Sequence, residues 1–189
     1  PKLKGLQHIA LKIRDLKESL RFYTEVLGFR VIEHIKFDEP IRGRSSITFI
    51  TCTDLHHVIN LTELAPEARP ENSPPPENTR ARREYGFHHF AFEVEDKKTF
   101  DAWEKHLREN GIEFTNGPLL HSPTHPEGDG TWGENRAMYF CDPDGNAVEI
   151  CCDMMVVDEK DEVDAAWHAA RIKSDGFDPE KVPLPPLTR

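Results

Sequence analysis

The chain contains an internal repeat, and this repeat constrains its fold more than any other feature. Residues 7–15, QHIALKIRD, are echoed by residues 88–96, HHFAFEVED. Each copy is followed by an amphipathic stretch, residues 16–27 in the first copy and residues 97–109 in the second. Because a repeated supersecondary unit is the mark of a repeated architecture, we expect two similar halves.

Each copy of the repeat reads as a strand followed by a helix. Ile9, Leu11 and Ile13 alternate with more polar residues, as expected of a strand with one apolar face. Asp15 and Asp96 stand where a helix N-cap is expected, and both helices run into a glycine. Further extended runs follow, at residues 29–36, 46–52 and 57–64 in the first half and at 113–114, 136–141 and 147–152 in the second. The sequence therefore predicts an α+β fold of two βαβββ modules that form a cupped mixed sheet, with a C-terminal helical tail.

The repeat also gives the domain organisation. We expect one domain over residues 1–152, made of modules at 5–64 and 86–152 that a linker at 65–85 joins. The linker contains three consecutive prolines and the basic residues Arg80, Arg82 and Arg83, which hint at a substrate carboxylate as much as at a solvated linker. A long loop is predicted at 122–135. Residues 153–189 are expected to form an accessory helix, at 158–173, and a proline-rich tail that packs on the domain or on a second subunit.

Composition excludes several classes of partner. The chain has 189 residues, of which 37% are hydrophobic, and a formal net charge of −10, which argues against nucleic acid and against an anionic membrane surface. No apolar run is long enough to span a bilayer, and the first five residues lack the core of a signal peptide, so we expect a soluble cytoplasmic protein. The four cysteines show no CxxC spacing and are interpreted as reduced thiols.

Three residues on the less apolar faces of strands form a candidate metal site. His8 and His89 occupy equivalent positions in the two copies, and Glu149 follows the turn sequence Asp142-Pro143-Asp144-Gly145-Asn146 on the last strand. Two imidazoles and one carboxylate on one side of a metal, with open positions opposite, are typical of non-haem Fe(II) enzymes that activate O2. We therefore predict His8, His89 and Glu149 as metal ligands.

The span from residue 6 to residue 152 resembles the vicinal oxygen chelate superfamily, which includes glyoxalase I, epimerases, antibiotic-resistance proteins and type I extradiol dioxygenases. The likeness lies in the two histidine strands, in Leu27-Gly28-Phe29, and in the turn that leads to Glu149. The resemblance implies a metal cup and leaves the reaction open, because members share the cup and differ in chemistry.

The fourth metal position favours one branch of that superfamily. Glyoxalase I and its epimerase relatives place Glu or Gln where this chain has Asn60, whereas extradiol dioxygenases use three protein ligands only. The resemblance to the dioxygenases further implies an acid-base role for His57, and a hydrogen bond from Tyr139 to a substrate oxygen. It also implies a second such bond from His121.

Two of these assignments have alternatives. Strand alternation favours His56 over His57 unless the strand begins after His57 or contains a bulge. Because the loop at 122–135 is longer than the family pattern, His125 competes with His121. The remaining histidines are assigned no chemistry: His34, His106 and His168 are expected to be solvated, and His88 to make a structural hydrogen bond.

The sequence as a whole predicts an Fe(II)-dependent extradiol dioxygenase, with Mn(II) as the alternative metal. Its substrates would be a small catechol-type molecule and O2, and the resemblance favours a homo-oligomer. The first alternative is a glyoxalase- or epimerase-like isomerase or lyase, and the second is an antibiotic-sequestering binding protein.

Overall fold

The computed structural model describes residues 6–69, 78–80, 87–131 and 133–187. Prolines 74–76 and the basic residues Arg82 and Arg83 of the expected linker lie outside these ranges. The chain divides into two compact units: residues 1–86 together with 142–146, and residues 87–141 together with 147–189. No described helix has the length and apolar character required to cross a bilayer.

The first unit follows the predicted order of elements. Strand β1 (Ile9–Ile13) leads into helix α1 (Leu16–Leu20), and β2 (Arg30–Ile41), β3 (Arg44–Thr51) and β4 (Ile59–Leu64) follow. The sheet order is β1-β4-β3-β2, with β1 parallel to β4. The expected alternation holds, because Leu11 and Ile13 are buried while Ala10 and Lys12 are exposed.

The first helix begins where the sequence predicts and changes its winding. Asp15 caps it by accepting a hydrogen bond from the Glu18 amide at 2.9 Å. After Leu20 the chain continues as a π-helical segment (Arg21–Val26), in which the Leu27 amide bonds to the Phe22 carbonyl, five residues back. Amphipathic periodicity alone does not distinguish this wider turn from an α-helix.

The second unit repeats the first. Strand β5 (Phe90–Glu93), helix α2 (Lys97–Glu109) and strands β6 (Asn116–His121), β7 (Asn135–Cys141) and β8 (Ala147–Cys152) give the sheet order β5-β8-β7-β6. Helix α2 covers the predicted residues, and Asp96 caps it through the Thr99 amide at 2.7 Å. The described strands thus form two four-stranded mixed sheets, and the predicted α+β fold of two βαβββ modules is confirmed.

Two predicted elements are displaced. The prediction of a strand at 113–114 is wrong, because the edge strand β6 begins only at Asn116. Strand β6 contains Pro118. An edge strand tolerates proline, since one of its sides has no neighbouring strand.

The helix expected at 158–173 is α3 (Ala165–Ser174), whose N-cap Asp164 accepts from the amides of Ala166 and Trp167. The residues before it form a turn in which Asp158 accepts from the Lys160 and Glu162 amides.

Helix α3 packs into the second unit through buried charges. Arg171 Nη1 lies 3.0 Å from Glu134 Oε2, and both side chains are almost fully buried. Asp175, at the end of the helix, lies 2.5 Å from Nη2 of Arg136 on β7. His168 is also buried, so the expectation that it is solvated is wrong. The C-terminal helix is therefore an integral part of the second unit.

The turn between β7 and β8 belongs to the first unit. Asp144 pairs with Arg14, whose Nε lies 3.0 Å from Oδ1, and Asp142 accepts a 2.8 Å hydrogen bond from the buried Tyr23 hydroxyl. Burial raises the pKa of the Asp142 carboxyl, against hydrogen bonds from Asn146 and Tyr23 that lower it. The first unit is consequently built from two separate stretches of chain.

Candidate active site

Two of the three predicted metal ligands are neighbours in the second unit. His89 immediately precedes β5, and Glu149 lies in the middle of β8, opposite Ala91. Nε2 of His89 is 2.9 Å from Oε2 of Glu149, whose side chain is 6% exposed. Nδ1 of His89 faces Nδ1 of His88 at 2.6 Å. The parallel pairing of β5 and β8 thus brings an imidazole and a buried carboxylate together.

The other carboxylate oxygen of Glu149 is bound by a residue that the sequence analysis missed. The side-chain amide of Asn135, on β7, donates to Oε1 at 3.1 Å, and Asn135 is itself buried. The available signal was the strand period, since Asn135 lies four residues before Tyr139 and shares its face of the strand.

The donor set of the second unit fits a divalent cation. An imidazole beside a carboxylate that a second residue orients is the arrangement of many metal ligands. Across the described parts of the chain, no group of three or more His, Cys, Asp or Glu side chains is placed to hold a metal ion. The triad of His8, His89 and Glu149 therefore stays a prediction.

Tyr139 and His121 lie beside this pair. Tyr139 is directly opposite Glu149 in the antiparallel pairing of β7 and β8, and its ring meets that of His89 edge-on at 5.6 Å. Its hydroxyl is 3.2 Å from Nε2 of His121, at the end of β6. Four predicted site residues of the second unit, His89, His121, Tyr139 and Glu149, are thus brought into one cluster.

His121, and not His125, is the histidine beside Tyr139. His125 is buried elsewhere, with Nε2 3.2 Å from Asp175 Oδ2 and its ring edge-on to Phe177. Burial lowers the pKa of His125; Asp175 raises it, and the charges of Arg171 and Arg136 lower it further. His125 therefore belongs to the packing around the C-terminal segment.

Two side chains of the loop after β6 contact Nδ1, the other ring nitrogen of His121. Nδ1 lies 2.9 Å from Asp129 Oδ2 and 2.8 Å from Thr131 Oγ1. Burial raises the pKa of Asp129, but hydrogen bonds from the Thr131 hydroxyl and amide, together with the interaction with His121, outweigh it, so the net pKa is lowered. Neither Asp129 nor Thr131 was identified from the sequence, because nothing local indicates that the loop returns to β6.

The first unit holds a separate group of histidines. His8 precedes β1, is exposed, and has its ring 4.7 Å from that of His57. Gln7 contacts both: its Oε1 bonds to His8 Nδ1, and its Nε2 donates to the His57 carbonyl at 2.9 Å. Burial, and then the charges of His8 and His56, lower the pKa of His57.

The position of β4 bears on the choice between His56 and His57. Because β4 begins at Ile59, the strand starts after both histidines and its alternation does not govern them. The His56 ring lies near Glu33, with Nε2 3.5 Å from the carboxylate, whereas the His57 ring lies 4.7 Å from that of His8. The structure thus places His57 beside the predicted ligand.

Asn60 is the repeat counterpart of Glu149. It faces Ala10 across the parallel β1–β4 pair as Glu149 faces Ala91, and it faces Phe49 as Glu149 faces Tyr139. Its Oδ1 accepts a hydrogen bond from Thr62 at 3.0 Å. The first unit therefore carries a neutral amide where the second unit carries a carboxylate.

Cysteine chemistry does not compete with this site. All four cysteines are free, and Cys151 and Cys152 are buried on β8. Burial, with nearby carboxylates, raises the pKa of both thiols to about 12. These two thiols are thus neutral and poor nucleophiles at neutral pH.

Comparison with known proteins identifies the family. The model of the Glyoxalase/Bleomycin resistance protein/Dioxygenase superfamily matches residues 5–150, so the chain belongs to that superfamily, whose members are mostly metal-dependent enzymes. The resemblance on the histidine strands and the turn before Glu149 is thereby confirmed.

Individual relatives differ in activity. The chain is 31% identical over 157 residues to Glyoxylase I 4 of Arabidopsis thaliana, covering 82% of this chain and 75% of the relative. It is 30% identical over 145 residues to catechol-2,3-dioxygenase of Bacillus subtilis, covering 76% of this chain but only 39% of that protein. A glyoxalase/dioxygenase structure from Nostoc punctiforme matches with a TM-score of 0.51 and 26% identity, over 79% of this chain and 91% of that one.

Proposed function

We propose that the chain is an extradiol dioxygenase that cleaves a catechol-type ring with O2, with Fe(II) held by His8, His89 and Glu149. The observation that carries the proposal is the hydrogen bond between Tyr139 and His121 beside the His89–Glu149 pair. A catecholic substrate must lose protons when it binds a metal, and this cluster puts two proton-handling groups next to candidate ligands. Mn(II) is the alternative, because the same donors accept it.

Tyr139 and His121 are assigned to the hydroxyl groups of the substrate. With 3.2 Å between the phenol oxygen and Nε2, the phenol can donate to the imidazole while its oxygen accepts from a substrate hydroxyl. Nε2 of His121 is then the acceptor for the phenol proton. When bound, the metal would supply the positive charge that favours deprotonated substrate oxygens, and open positions for them and for O2.

His57 is assigned the remaining acid-base role. Its ring lies 4.7 Å from that of His8 in a tilted arrangement, whereas Nε2 of His56 is 3.5 Å from the Glu33 carboxylate. Its imidazole can give or take a proton near a ligand histidine without itself binding the metal. We therefore prefer His57 to His56 for this role.

A glyoxalase-like isomerase is the second candidate, supported by the similarity to the Arabidopsis glyoxylase. In that branch of the family a Glu or Gln at the position of Asn60 completes the metal site, and the shorter asparagine would be a poor fourth ligand. Such a reaction also needs a base that abstracts a proton from carbon, and the sequence pattern assigns no residue to that role. Since the chain spans 39% of the Bacillus dioxygenase, the substrate and activity are both proposals.

Metal binding is the first test. Purified protein is reconstituted anaerobically with Fe(II), and bound metal is measured by elemental analysis for the parent chain and for His8→Ala, His89→Ala and Glu149→Ala. His106→Ala, at a half-buried histidine on α2, is the matched control. The proposal expects each of the three ligand variants to lose metal and the control to retain it.

Oxygen consumption is the second test. The reconstituted protein is given O2 and a panel of catechols, while absorbance and oxygen uptake are recorded together. A coloured ring-fission product that forms with one O2 per substrate supports the dioxygenase. Metal-loaded protein that takes up no O2, but isomerises a methylglyoxal–thiol adduct with Ni(II) or Zn(II), would establish the second candidate instead.

A further inference from the structure

The surroundings of His121 Nδ1 determine which of its nitrogens carries the proton. Asp129 Oδ2 lies 2.9 Å from Nδ1, and its carboxylate has a lowered pKa and is therefore an acceptor only. Thr131 Oγ1 lies 2.8 Å from the same nitrogen and 2.7 Å from Asp129 Oδ1.

The single hydroxyl proton of Thr131 is committed to Asp129. If it pointed to His121 instead, Nδ1 would be an acceptor and would face the Asp129 carboxylate at 2.9 Å with no proton between them. With that proton on Asp129 Oδ1, both oxygens near Nδ1 are acceptors. Nδ1 must then be the protonated nitrogen of the neutral ring.

The loop that supplies these two groups is fixed by its own backbone. The Asp129 amide bonds to the Leu120 carbonyl at 2.9 Å, and the Gly130 amide bonds to the Ser122 carbonyl at 3.1 Å. At Gly128 a Cβ atom would stand 2.3 Å from the Ser122 carbonyl oxygen, so only glycine permits this close return. The loop thus holds Asp129 against His121 before any substrate arrives.

We propose that Asp129, supported by Thr131, is a positioning residue that keeps the proton of neutral His121 on Nδ1 and so leaves Nε2 free to accept the Tyr139 hydroxyl proton. The proton path would then run from a substrate hydroxyl to the Tyr139 oxygen, while the Tyr139 proton moves to Nε2. The resulting imidazolium is paired with the Asp129 carboxylate. The catalytic part of this inference rests on the proposed dioxygenase function, whereas the tautomer of His121 does not.

The tautomer is read by nitrogen NMR on the full chain in the presence of diamagnetic Zn(II). Histidine side-chain nitrogens are correlated with the ring carbon-bound protons, and His121→Gln identifies the signals of His121. We expect a protonated Nδ1 and an unprotonated Nε2. A neutral ring with the proton on Nε2 would overturn the proposal, whatever the activity of the protein.

Asp129→Asn tests whether the Asp129 carboxylate determines the tautomer of His121. An asparagine amide can donate to Nδ1, so we expect the proton to move to Nε2 in at least part of the molecules and kcat for ring cleavage to fall by about 10²-fold, with KM little changed. Asp101→Asn, on the exposed face of α2, is the matched control. Thr131→Val tests the same arrangement by removing the hydroxyl, and should shift the tautomer less.

Failure of the inference and failure of the proposed function are distinguishable. An Asp129→Asn protein with unchanged nitrogen shifts at His121 rejects the positioning role even if ring cleavage is intact in the parent chain. A parent chain without ring cleavage, but with the expected tautomer and the expected shift in Asp129→Asn, rejects the dioxygenase and retains the positioning role.

Discussion

Asn135 binds one carboxylate oxygen of Glu149 and leaves the other oxygen facing His89. Asn135→Ala removes a buried donor and should lower the affinity for the bound metal by about 10- to 100-fold, since residues that orient a ligand have effects of this size. The affinity is measured by competition with a chelator. Asn116→Ala, at an exposed strand end, should leave it unchanged. Equal affinities in the Asn135→Ala and parent proteins would contradict a ligand role for Glu149.

Tyr139→Phe distinguishes the contribution of the phenol hydroxyl from that of the aromatic ring. The phenylalanine ring can keep the edge-on contact with His89, while the hydrogen bond to His121 is lost. We expect metal content to stay the same and kcat for ring cleavage to fall by about 10²-fold or more. Single-turnover absorbance measurements check the rate. Activity that stays within a factor of two would remove Tyr139 from the proton path.

Tyr23→Phe is the contrasting change in the first unit. It removes a fully buried hydroxyl that donates to Asp142 and leaves that carboxyl short of one donor. The free energy of unfolding should fall by about 1–3 kcal/mol, while metal content and kcat stay unchanged. Urea denaturation measures the stability. A loss of activity without a loss of stability would reverse the roles given to the two tyrosines.

Removing one partner of the buried Arg171–Glu134 ion pair should destabilise the protein strongly. Arg171→Met leaves Glu134 buried without its cation and should destabilise the protein by about 3–5 kcal/mol, and adding Glu134→Leu should recover much of this loss. Arg108→Met is the control, because its partner Glu104 is on the surface of α2 and such a pair contributes about 0.5 kcal/mol or less. Chemical denaturation of the parent protein, the two single variants and the double variant measures these differences.

Stability should decrease as the pH falls through the range of histidine titration. Burial lowers the pKa of His125 and of His168 below that of an unfolded histidine, about 6.5. The unfolded chain therefore binds protons that the folded chain does not, so stability is fully present above about pH 6.5 and declines below it. Urea midpoints at about pH 7.5 and about pH 5.5 measure the effect. His168→Gln should reduce the difference, and an unchanged difference in both His125→Gln and His168→Gln would assign it to other groups.

The repeated architecture was predictable because local sequence determines it. The side chains of Asp15 and Asp96 accept hydrogen bonds from amides three residues on, and the bounds of α2 agree with its local sequence pattern. The prediction failed where long-range packing decides. His168 is buried on a helix that forms ion pairs with Glu134 and Arg136, from β7 and the loop before it, and the periodicity of α3 does not predict these partners.

The residues of the candidate site also fall into two groups: those that local sequence predicts and those that long-range packing positions. His89, Tyr139 and Glu149 were identified because they lie on strands whose faces follow from alternation. Asp129 and Thr131 were missed because their position depends on a loop whose return to β6 is fixed by backbone hydrogen bonds. The register of β7 brings Asn135 to Glu149, and a shift of one residue would have placed it on the other face.

The turn of residues 142–146 has a consequence for the order in which the protein is made. The first unit needs Asp144 for Arg14 and Asp142 for Tyr23, yet these two aspartates are synthesised after most of the second unit. A nascent chain that has emerged from the ribosome only as far as the end of β4 therefore lacks acceptors that its own first helix requires. Its first half should complete its packing only once the turn has left the exit tunnel, and should remain open to chaperones and proteases until then.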